Sequence, residues 1–245
     1  MRYLVLADQH ANLQALDAVL ADARDLGYDR VLVLGDLVGY GADPSAVIER
    51  TVKLAPEAII RGNHDKVCAG LEPAAMFNEV ARRSIEWTAG VLTAAELKYL
   101  GDLPKGPKSV GERVEICHGT PFDEDHYVFD TSDAARAIDA ASAPICLFGH
   151  THVPVIFATG AKTGSDRTDL KDDEVPLPEE GCTLINVGSV GQPRDGDSRA
   201  AYGILDLDRR TITMRRVTYD IKAAQARILE EGLPQWLAAR LARGQ

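Results

Sequence analysis

The sequence lacks any hydrophobic run that approaches the roughly 20 residues a helix needs to cross a bilayer. It also lacks the start of a secretory signal, because the apolar stretch in MRYLVLADQHA follows a single Arg and is broken by Asp8. These two absences predict a cytoplasmic protein without a membrane partner.

Positive charge and paired cysteines are scarce as well. The 27 Lys and Arg residues are outnumbered by 37 Asp and Glu residues, which gives a formal net charge of −10. Stable binding to nucleic acid is therefore not expected, although a small phosphate compound can bind where positive charge is supplied locally. The four cysteines, Cys68, Cys117, Cys146 and Cys182, form no C-x-x-C pair, which predicts buried, reduced thiols.

Short apolar runs alternate with helical patterns along the first 150 residues, which predicts an α/β fold class, and the second half is richer in strands. Strands are predicted at residues 2–7, 31–34, 58–60, 114–117, 145–148, 155–158, 183–187, 201–207 and 211–217. Helices are predicted from an Asn12 N-cap to Gly27, from Asp43-Pro44 onwards, over 74–100 with a Thr93/Glu96 capping box, and near 133–141.

No internal repeat or low-complexity linker divides the chain, so residues 1–245 are predicted to form a single domain. Residues 160–181 are rich in acidic and poor in large apolar side chains, which favours a solvated hairpin excursion over a charged cation-binding loop. Residues 220–243 are predicted to form a helical tail, interrupted at Gly232-Leu233-Pro234.

Five of the six histidines directly follow a predicted strand, next to Gly, Asn or Asp. The strand exits carry, in chain order, Asp8-Gln9-His10, Gly35-Asp36, Gly62-Asn63-His64-Asp65, His118-Gly119 and Gly149-His150-Thr151-His152. Ligands bind at the carboxyl ends of strands in open α/β sheets, because the loops there converge. Each motif alone is compatible with an ordinary turn or cap, but together they predict a metal site. His126 belongs to none of them and is predicted to be a surface or aromatic-packing residue.

The spacing within these motifs suits metal binding. Asp8 and His10 are two residues apart, so both side chains of an extended chain point to one side, and His150 and His152 repeat this spacing. The donors are oxygen and nitrogen without a thiolate, which suits manganese, iron, zinc or cobalt. One carboxylate between two donor sets can bridge two ions, an arrangement that favours displacement at phosphorus.

The motif set ADQH, GD, GNHD, CHGT and GHTH resembles the pattern D-x-H, G-D, G-N-H-[DE], H and G-H-x-H of the calcineurin-like metallophosphoesterase superfamily, over residues 4–152. The segment NVGSVGQPRD at 186–195 resembles that of small bacterial members, so a phosphodiesterase-type member is expected. The resemblance implies two packed mixed β-sheets flanked by helices, an αββα sandwich, with two divalent ions at the strand ends. Manganese is the ion expected first, with iron, zinc, cobalt or nickel as alternatives.

Carried over residue by residue, the resemblance implies two ligand sets, Asp8, His10, Asp36 and His152 for the first ion and Asp36, Asn63, His118 and His150 for the second. A hydroxide bridging the ions would attack phosphorus, His64 would assist the leaving oxygen, and Asp65 would orient His64. Asn12 matches the Asn of the family's D-x-H-G-N and is expected to contact the phosphate. Independently of the resemblance, Arg194 in GQPRDGD is a candidate for binding the substrate phosphate, the alternative being an ion pair with Asp195 or Asp197.

Two positions depart from the family pattern. Ala11 stands where Gly is usual, and Gln9 stands where a hydrophobic residue is common. Ala11 is expected to narrow the phosphate cleft, and Gln9 to point away from the ions, where its amide needs a buried partner. Neither departure removes a ligand, so both are expected to affect substrate preference rather than activity.

The expected function is hydrolysis of phosphodiester or phosphoanhydride bonds of small nucleotides. A Ser/Thr protein phosphatase is one alternative, but the run GDLVGYG at 35–41 lacks the Arg of that group's G-D-x-V-D-R-G, and GNHD replaces its GNHE. A non-catalytic metal-binding scaffold resembling the retromer subunit is another, but His64 and every ligand position are retained here. The oligomeric state is left open.

Overall fold

The strands of the protein form two mixed sheets. The structure, a computed structural model, describes residues 1–158 and 174–245. Its strands are β1 (Arg2–Leu6), β2 (Arg30–Val33), β3 (Ala58–Ile59), β4 (Lys108–Val110), β5 (Val114–Ile116), β6 (Ile145–Phe148), β7 (Val155–Ala158), β8 (Glu174–Pro176), β9 (Thr183–Asn186), β10 (Ala200–Asp206) and β11 (Thr211–Val217). One sheet has the order β3-β2-β1-β10-β11-β8, and the other has the order β4-β5-β6-β9-β7. Strands β1, β2 and β3 run parallel, as do β5, β6 and β9, and the other pairs are antiparallel.

Most helices follow the strand ends, and the two caps predicted at Asn12 and at Thr93 with Glu96 are present. They are α1 (Leu13–Leu26), α2 (Pro44–Lys53), α3 (Asn63–Cys68), α4 (Glu79–Val91), α5 (Ala94–Asp102), α6 (Thr131–Ala140), α7 (Ile221–Glu230) and α8 (Gln235–Leu241), with a 3₁₀ turn at Ala74–Met76. Asn12 caps α1 by accepting a hydrogen bond from the backbone N–H of Ala15, and Thr93 and Glu96 form the capping box of α5. These caps satisfy N–H groups that the first turn of a helix leaves without partners.

Both faces of the two sheets are buried, which explains why their strands read as nearly continuous apolar runs. In β1, Tyr3 and Val5 face the core between the sheets and share it with Ile116 of the second sheet. Leu4 and Leu6 point the other way and join the apolar cluster that contains α1. A further cluster connects the outer face of the second sheet with α6. The order of layers is therefore helix, sheet, sheet, helix, and the predicted αββα sandwich is confirmed.

Every predicted strand is present to within one residue at each end, but two short strands were not predicted. One is β4, and the other is β8, which lies inside the segment 160–181. Instead of being a solvated excursion, Glu174–Pro176 adds to the sheet edge beside β11. The part of that prediction at residues 159–173 lies outside the described residues. The helical tail and its break between α7 and α8 are confirmed. That residues 1–245 form a single domain stays a prediction.

The predicted absence of a membrane-spanning segment and of paired cysteines can be compared with the fold. None of the helices within residues 1–158 and 174–245 combines the length and the apolar character needed to pass through a bilayer. The four cysteines form no disulfide with one another, and Cys182 is partly exposed whereas the other three are buried. Burial raises the pKa of Cys68 to about 12, so this thiol stays protonated and has a structural role.

Candidate metal centre

The polar residues that follow five strands meet where the two sheets end. Two groups of donor atoms form there, each with all its atoms within 4.8 Å of one another. The first group is Asp8, His10, Asp36 and His152, and the second is Asp36, His118 and His150. Asp36 is common to both groups, and all of these side chains are buried. Asn63 lies beside the second group, with its Oδ1 3.1 Å from Nε2 of His118.

The backbone is strained at this edge of the sheets. Five of the donor residues have φ between 47° and 68°, namely Asp8, His10, Asp36, His150 and His152. Such left-handed conformations cost free energy in residues with a Cβ and concentrate at functional sites. Gly62 allows the close approach of Asp36, because a Cβ at Gly62 would lie 2.1 Å from Oδ1 of that carboxylate.

Each of the four histidines in the two groups is held by a backbone carbonyl. In three of them the contact is made by Nδ1: His10 to the carbonyl oxygen of Val38 at 3.0 Å, His118 to that of Leu34 at 2.8 Å, and His152 to that of Gln192 at 2.6 Å. In His150 it is made by Nε2, which lies 3.1 Å from the carbonyl oxygen of Asp125. A carbonyl oxygen can only accept, so these nitrogens carry the hydrogen. In the neutral form of each ring, the other nitrogen therefore directs its lone pair into the cluster, which is the orientation of a metal-ligating imidazole.

The inward nitrogens face one another at short distance. Nε2 of His10 lies 3.0 Å from Nε2 of His152, and Nε2 of His118 lies 3.2 Å from Nδ1 of His150. Oδ2 of Asp36 lies 3.5 Å from the Nε2 atoms of both His10 and His118. Facing lone pairs repel each other unless a cation or a proton lies between them. These residues therefore fit two divalent cations that share Asp36, and the oxygen and nitrogen donors suit first-row metals.

Burial and neighbouring charges together determine the pKa values of these groups. Burial lowers the pKa of His10 and His152 well below the usual value, and the positive charge of Arg194 lowers it further. Burial raises the pKa of Asp8 to about 7. At His118, the neighbouring Asp36 carboxylate outweighs burial and raises the pKa to about 10. Buried carboxylates and imidazoles of this kind need a positive charge among them, which a divalent cation provides.

His64 lies beside both groups without belonging to either. Its ring is packed among those of Tyr40, His10 and Phe77, at centroid distances of 4.3, 4.8 and 4.9 Å. Burial lowers the pKa of His64 to about 4, so its imidazole is neutral at pH 7. The ring needs Gly39, because a Cβ there would lie 2.3 Å from Nδ1 of His64.

Asp65 makes its hydrogen bonds to the backbone and not to the His64 ring, so its role in orienting that ring stays a prediction that this geometry does not favour. Its Oδ1 accepts hydrogen bonds from the backbone N–H groups of Leu37 and Val38, and its Oδ2 accepts one from Gly62. All the hydrogen bonds of this carboxylate therefore join the loop after β2 to the start of α3. Its influence on His64 runs through the backbone rather than through the imidazole.

Asn12 is equally engaged with the protein. Its Oδ1 accepts from the N–H of Ala15, and its Nδ2 donates to the carbonyl oxygen of Gly191 at 2.8 Å. A contact between Asn12 and the phosphate stays a prediction that this geometry does not favour. Gln9 is buried, and its Oε1 accepts a hydrogen bond from the hydroxyl of Thr51 at 2.7 Å, so part of its amide has the expected buried partner.

Arg194 reaches the centre from the segment after β9. Its guanidinium lies over the Tyr40 ring, with Cζ 5.6 Å from the centroid, and its Nη2 donates to Oε1 of Gln192 at 3.2 Å. The alternative ion pairs are absent, because Asp195 pairs with Arg216 and Asp197 pairs with Arg199. Among the described residues, no hydrogen-bond partner is found for the buried Nε of Arg194, and no carboxylate pairs with its guanidinium.

Several residues that shape the centre were not predicted. The four carbonyl groups that hold the histidines left no signal in the sequence, because any residue type provides a carbonyl. Tyr40 is one of these residues, with its ring buried against those of His10 and His64. Tyr127, which stacks on the ring of His150 at 3.8 Å, was not singled out at all.

An ion-pair cluster around the buried Lys66 side chain holds the loop that carries Asp125. The Lys66 side chain is 2% exposed, and its ammonium pairs with Glu124 at 3.2 Å, with Glu72 at 3.1 Å and with Asp125. The carbonyl of Asp125 in turn accepts from the ring of His150. Lys66 therefore positions a predicted metal ligand that it does not touch.

Replacing Lys66 by Met is expected to weaken binding of the second metal equivalent by about 10- to 100-fold, the usual cost of losing a group that orients a ligand. The measurement is a calorimetric titration of metal-stripped protein with Mn²⁺, with the melting temperature recorded alongside. Lys53→Met is the control, because Lys53 forms an exposed pair with Glu49 on α2. Unchanged affinity of both equivalents in Lys66→Met would show that His150 does not depend on this cluster.

Comparisons with known proteins give a consistent result. The sequence model of the calcineurin-like phosphoesterase superfamily domain matches residues 1–210. The chain is 35% identical over 243 residues to an uncharacterised protein of Methanocaldococcus jannaschii, and the alignment covers 98% of this chain and 97% of that protein. A crystal structure of a metallophosphoesterase from Sphaerobacter thermophilus superposes with a TM-score of 0.90 at 38% identity, over 100% of this chain and 99% of the other. A hypothetical protein from Pyrococcus horikoshii, at 22% identity and a TM-score of 0.82 over 100% and 98% of the two chains, has a similar fold.

Proposed function

The chain belongs to the calcineurin-like phosphoesterase superfamily and is a phosphoesterase hydrolase, and from this we propose that it cleaves phosphodiester or phosphoanhydride bonds of small nucleotides. The observation that carries the proposal is a single cleft of about 360 Å³ that His64, Asn63 and His150 line together with apolar side chains. A cleft of this size suits a small organic ligand. Its position would bring the ester group of such a ligand next to His150 of the second donor group, to Asn63 and to His64.

The proposed ligands are Asp8, His10, Asp36 and His152 for one ion and Asp36, Asn63, His118 and His150 for the other. Bound divalent ions supply charge neutralisation at the phosphate and an acidified water as nucleophile. Manganese is our first proposal for both ions. The carbonyl groups that hold the four imidazoles keep the donor nitrogens in place before substrate arrives, which lowers the cost of reorganisation.

We assign two side chains to the substrate itself. Arg194 would donate hydrogen bonds to a phosphate oxygen, since its guanidinium has no carboxylate partner among the described residues and its charge influences His10, His64 and His152. His64 would donate an N–H to the leaving oxygen, because it lines the cleft next to the donor groups. The protein phosphatases carry an Arg in the segment that corresponds to residues 37–41. In this chain the segment contains the buried ring of Tyr40 and no Arg. We therefore favour a diester or anhydride, with fewer charges to neutralise than a monoester dianion.

Arg194→Ala tests this assignment. We expect wild-type protein to prefer a diester over a monoester with the same leaving group, and the variant to lose about 10- to 100-fold in kcat/KM on the diester, the worth of a hydrogen bond to a charged group. The measurement is kcat/KM on both substrates with manganese-loaded protein. Arg50→Ala is the control, because Arg50 pairs with Asp17 on an exposed surface. A clear monoester preference that disappears in Arg194→Ala would reverse the assignment in favour of a phosphatase.

A further inference from the structure

A second cavity adjoins the cleft beside His64. It has a volume of about 400 Å³ and is lined by Tyr40, Asn78, Glu79, Val80, Trp236 and Arg240. Tyr40 and Asn78 also line the cleft itself, so the two spaces meet at these residues. The second cavity therefore offers room for a part of the substrate that extends beyond the group held at the metal centre.

Arg240, in α8, brings a positive charge to the place where the two cavities meet. Its Cζ lies 5.8 Å from the centroid of the Tyr40 ring. Within residues 1–158 and 174–245, the only hydrogen bond of its side chain runs from Nε to the carbonyl oxygen of Gln245, and no Asp or Glu side chain pairs with the guanidinium. Its Nη1 and Nη2 groups are therefore available to a ligand.

Two guanidinium groups lie close to the same aromatic ring. Cζ of Arg194 is 5.6 Å from the centroid of the Tyr40 ring, and that ring is 4.3 Å from the ring of His64. Burial lowers the pKa of Arg240 to about 10, and the positive charge of Arg194 lowers it further. Two like charges near one buried ring raise the free energy of the protein unless an anion lies close to both. Phosphate is the anion that suits them, because the planar guanidinium donates paired hydrogen bonds to its oxygens.

The carboxylates that line the two cavities do not neutralise Arg240. Glu72 and Asp125 pair with Lys66, and because they outnumber its ammonium group, that part of the cleft repels a phosphate. Glu79 is exposed to water and forms no ion pair with Arg240 in the part of the chain that the structure describes. The attraction between charges separated by water is weak. A phosphate group that reaches Arg240 therefore displaces water rather than an ion-pair partner.

We propose that Arg240 binds a second phosphate group of the substrate, adjacent to the one that Arg194 contacts. This assignment rests on the proposed function and narrows it, because a phosphoanhydride carries a second phosphate and a simple phosphodiester does not. The substrate class is then a nucleoside diphosphate or a longer nucleoside polyphosphate. Arg240 determines specificity without acting on the reacting atoms, since it binds the neighbouring phosphate.

The test compares adenosine 5′-monophosphate with adenosine 5′-(α,β-methylene)diphosphate, whose P–C–P bridge resists hydrolysis. Calorimetric titration of the manganese-loaded protein in excess Mn²⁺ is expected to give a Kd about 10- to 100-fold lower for the diphosphate analogue, the worth of hydrogen bonds to a charged group. Arg240→Met keeps the apolar stem beside Tyr40, and should lose most of that gain while the Kd of adenosine 5′-monophosphate stays unchanged. Each ligand is compared between the two proteins, so its binding to free Mn²⁺ cancels.

Arg243→Met is the matched control. Arg243 follows α8, with its Cζ 5.8 Å from the centroid of the Trp236 ring, and it does not line the second cavity. This variant should keep the full preference for the diphosphate analogue. An equal loss in both variants would reduce the effect to overall positive charge, and an equal loss for both ligands in Arg240→Met would assign Arg240 to the fold of α8. Either result would overturn the site, as would an unchanged preference in Arg240→Met.

Hydrolysis of a phosphodiester and of adenosine 5′-diphosphate is measured separately from binding. A protein that gains affinity for the diphosphate analogue through Arg240 but cleaves neither compound would contradict the proposed function alone. A protein that cleaves them, with a Kd for the analogue that does not depend on Arg240, would overturn the second phosphate site alone.

Discussion

Asp36→Asn is expected to remove both bound ions and to lower kcat/KM by about 10³-fold or more, since metal ions provide several kcal/mol of transition-state stabilisation. Asp36 is the residue common to the two donor groups, so its loss weakens both, whereas every other ligand serves only one. An amide oxygen can still accept the hydrogen bond that Oδ1 receives from the backbone N–H of His64, so the loop should keep its conformation. The expected damage therefore comes from the lost charge rather than from a changed fold.

The measurement for Asp36→Asn is metal content by mass spectrometry together with kcat/KM on a phosphodiester. Asp22→Asn is the control, because it removes a carboxylate that pairs with Arg215 and accepts from Tyr202, far from the donor groups in the fold. If Asp36→Asn retains two equivalents of metal, the shared position assigned to this carboxylate is incorrect.

His64→Ala is expected to leave two equivalents of metal bound and to lower kcat by about 10²- to 10³-fold, the usual cost of removing one hydrogen-bond donor directed at developing negative charge. Its ring packs among other rings and lines the cleft, but it belongs to neither donor group. The loss should shrink for esters with good leaving groups, because those need little stabilisation of the leaving oxygen.

A series of esters with leaving groups of increasing pKa measures this effect, with metal content determined on the same samples. His126→Ala is the control, because His126 is half-buried against Asp133 and Phe122, outside the centre. Loss of metal from His64→Ala would make His64 a ligand, and an equal loss across the series would remove its role at the leaving oxygen.

Much of the fold could be predicted because its strands and helices have strong local signals. The apolar run RYLVL, buried on both faces, and the cap at Asn12 each determine a local structure without help from distant residues. The strand β8 had no such signal, since its three residues EVP become a strand only by pairing with β11. The helical pattern at 74–100 was correct in type, but its division into a 3₁₀ turn, α4 and α5 was not predicted.

The metal centre, too, could be predicted from the sequence only in part. The donor residues could be proposed because Asp, Asn and His follow successive strands, and the sheet order brings those strand ends together. The partners of Asn12 and Asp65 could not, because they depend on where Gly191 and the loop after β2 lie in space. The position of Arg194 was open for the same reason, since Asp195 and Asp197 are its sequence neighbours but pair with other arginines.

The most direct test of a two-metal phosphoesterase is the hydrolysis of a phosphodiester by metal-stripped protein as Mn²⁺ is added back. We expect no turnover in the presence of chelator, and a rise in kcat/KM that levels off when two equivalents per chain are bound. This follows from two buried donor groups that share Asp36 and from imidazoles whose inward nitrogens face one another. Full turnover by thoroughly stripped protein in chelator would contradict the account.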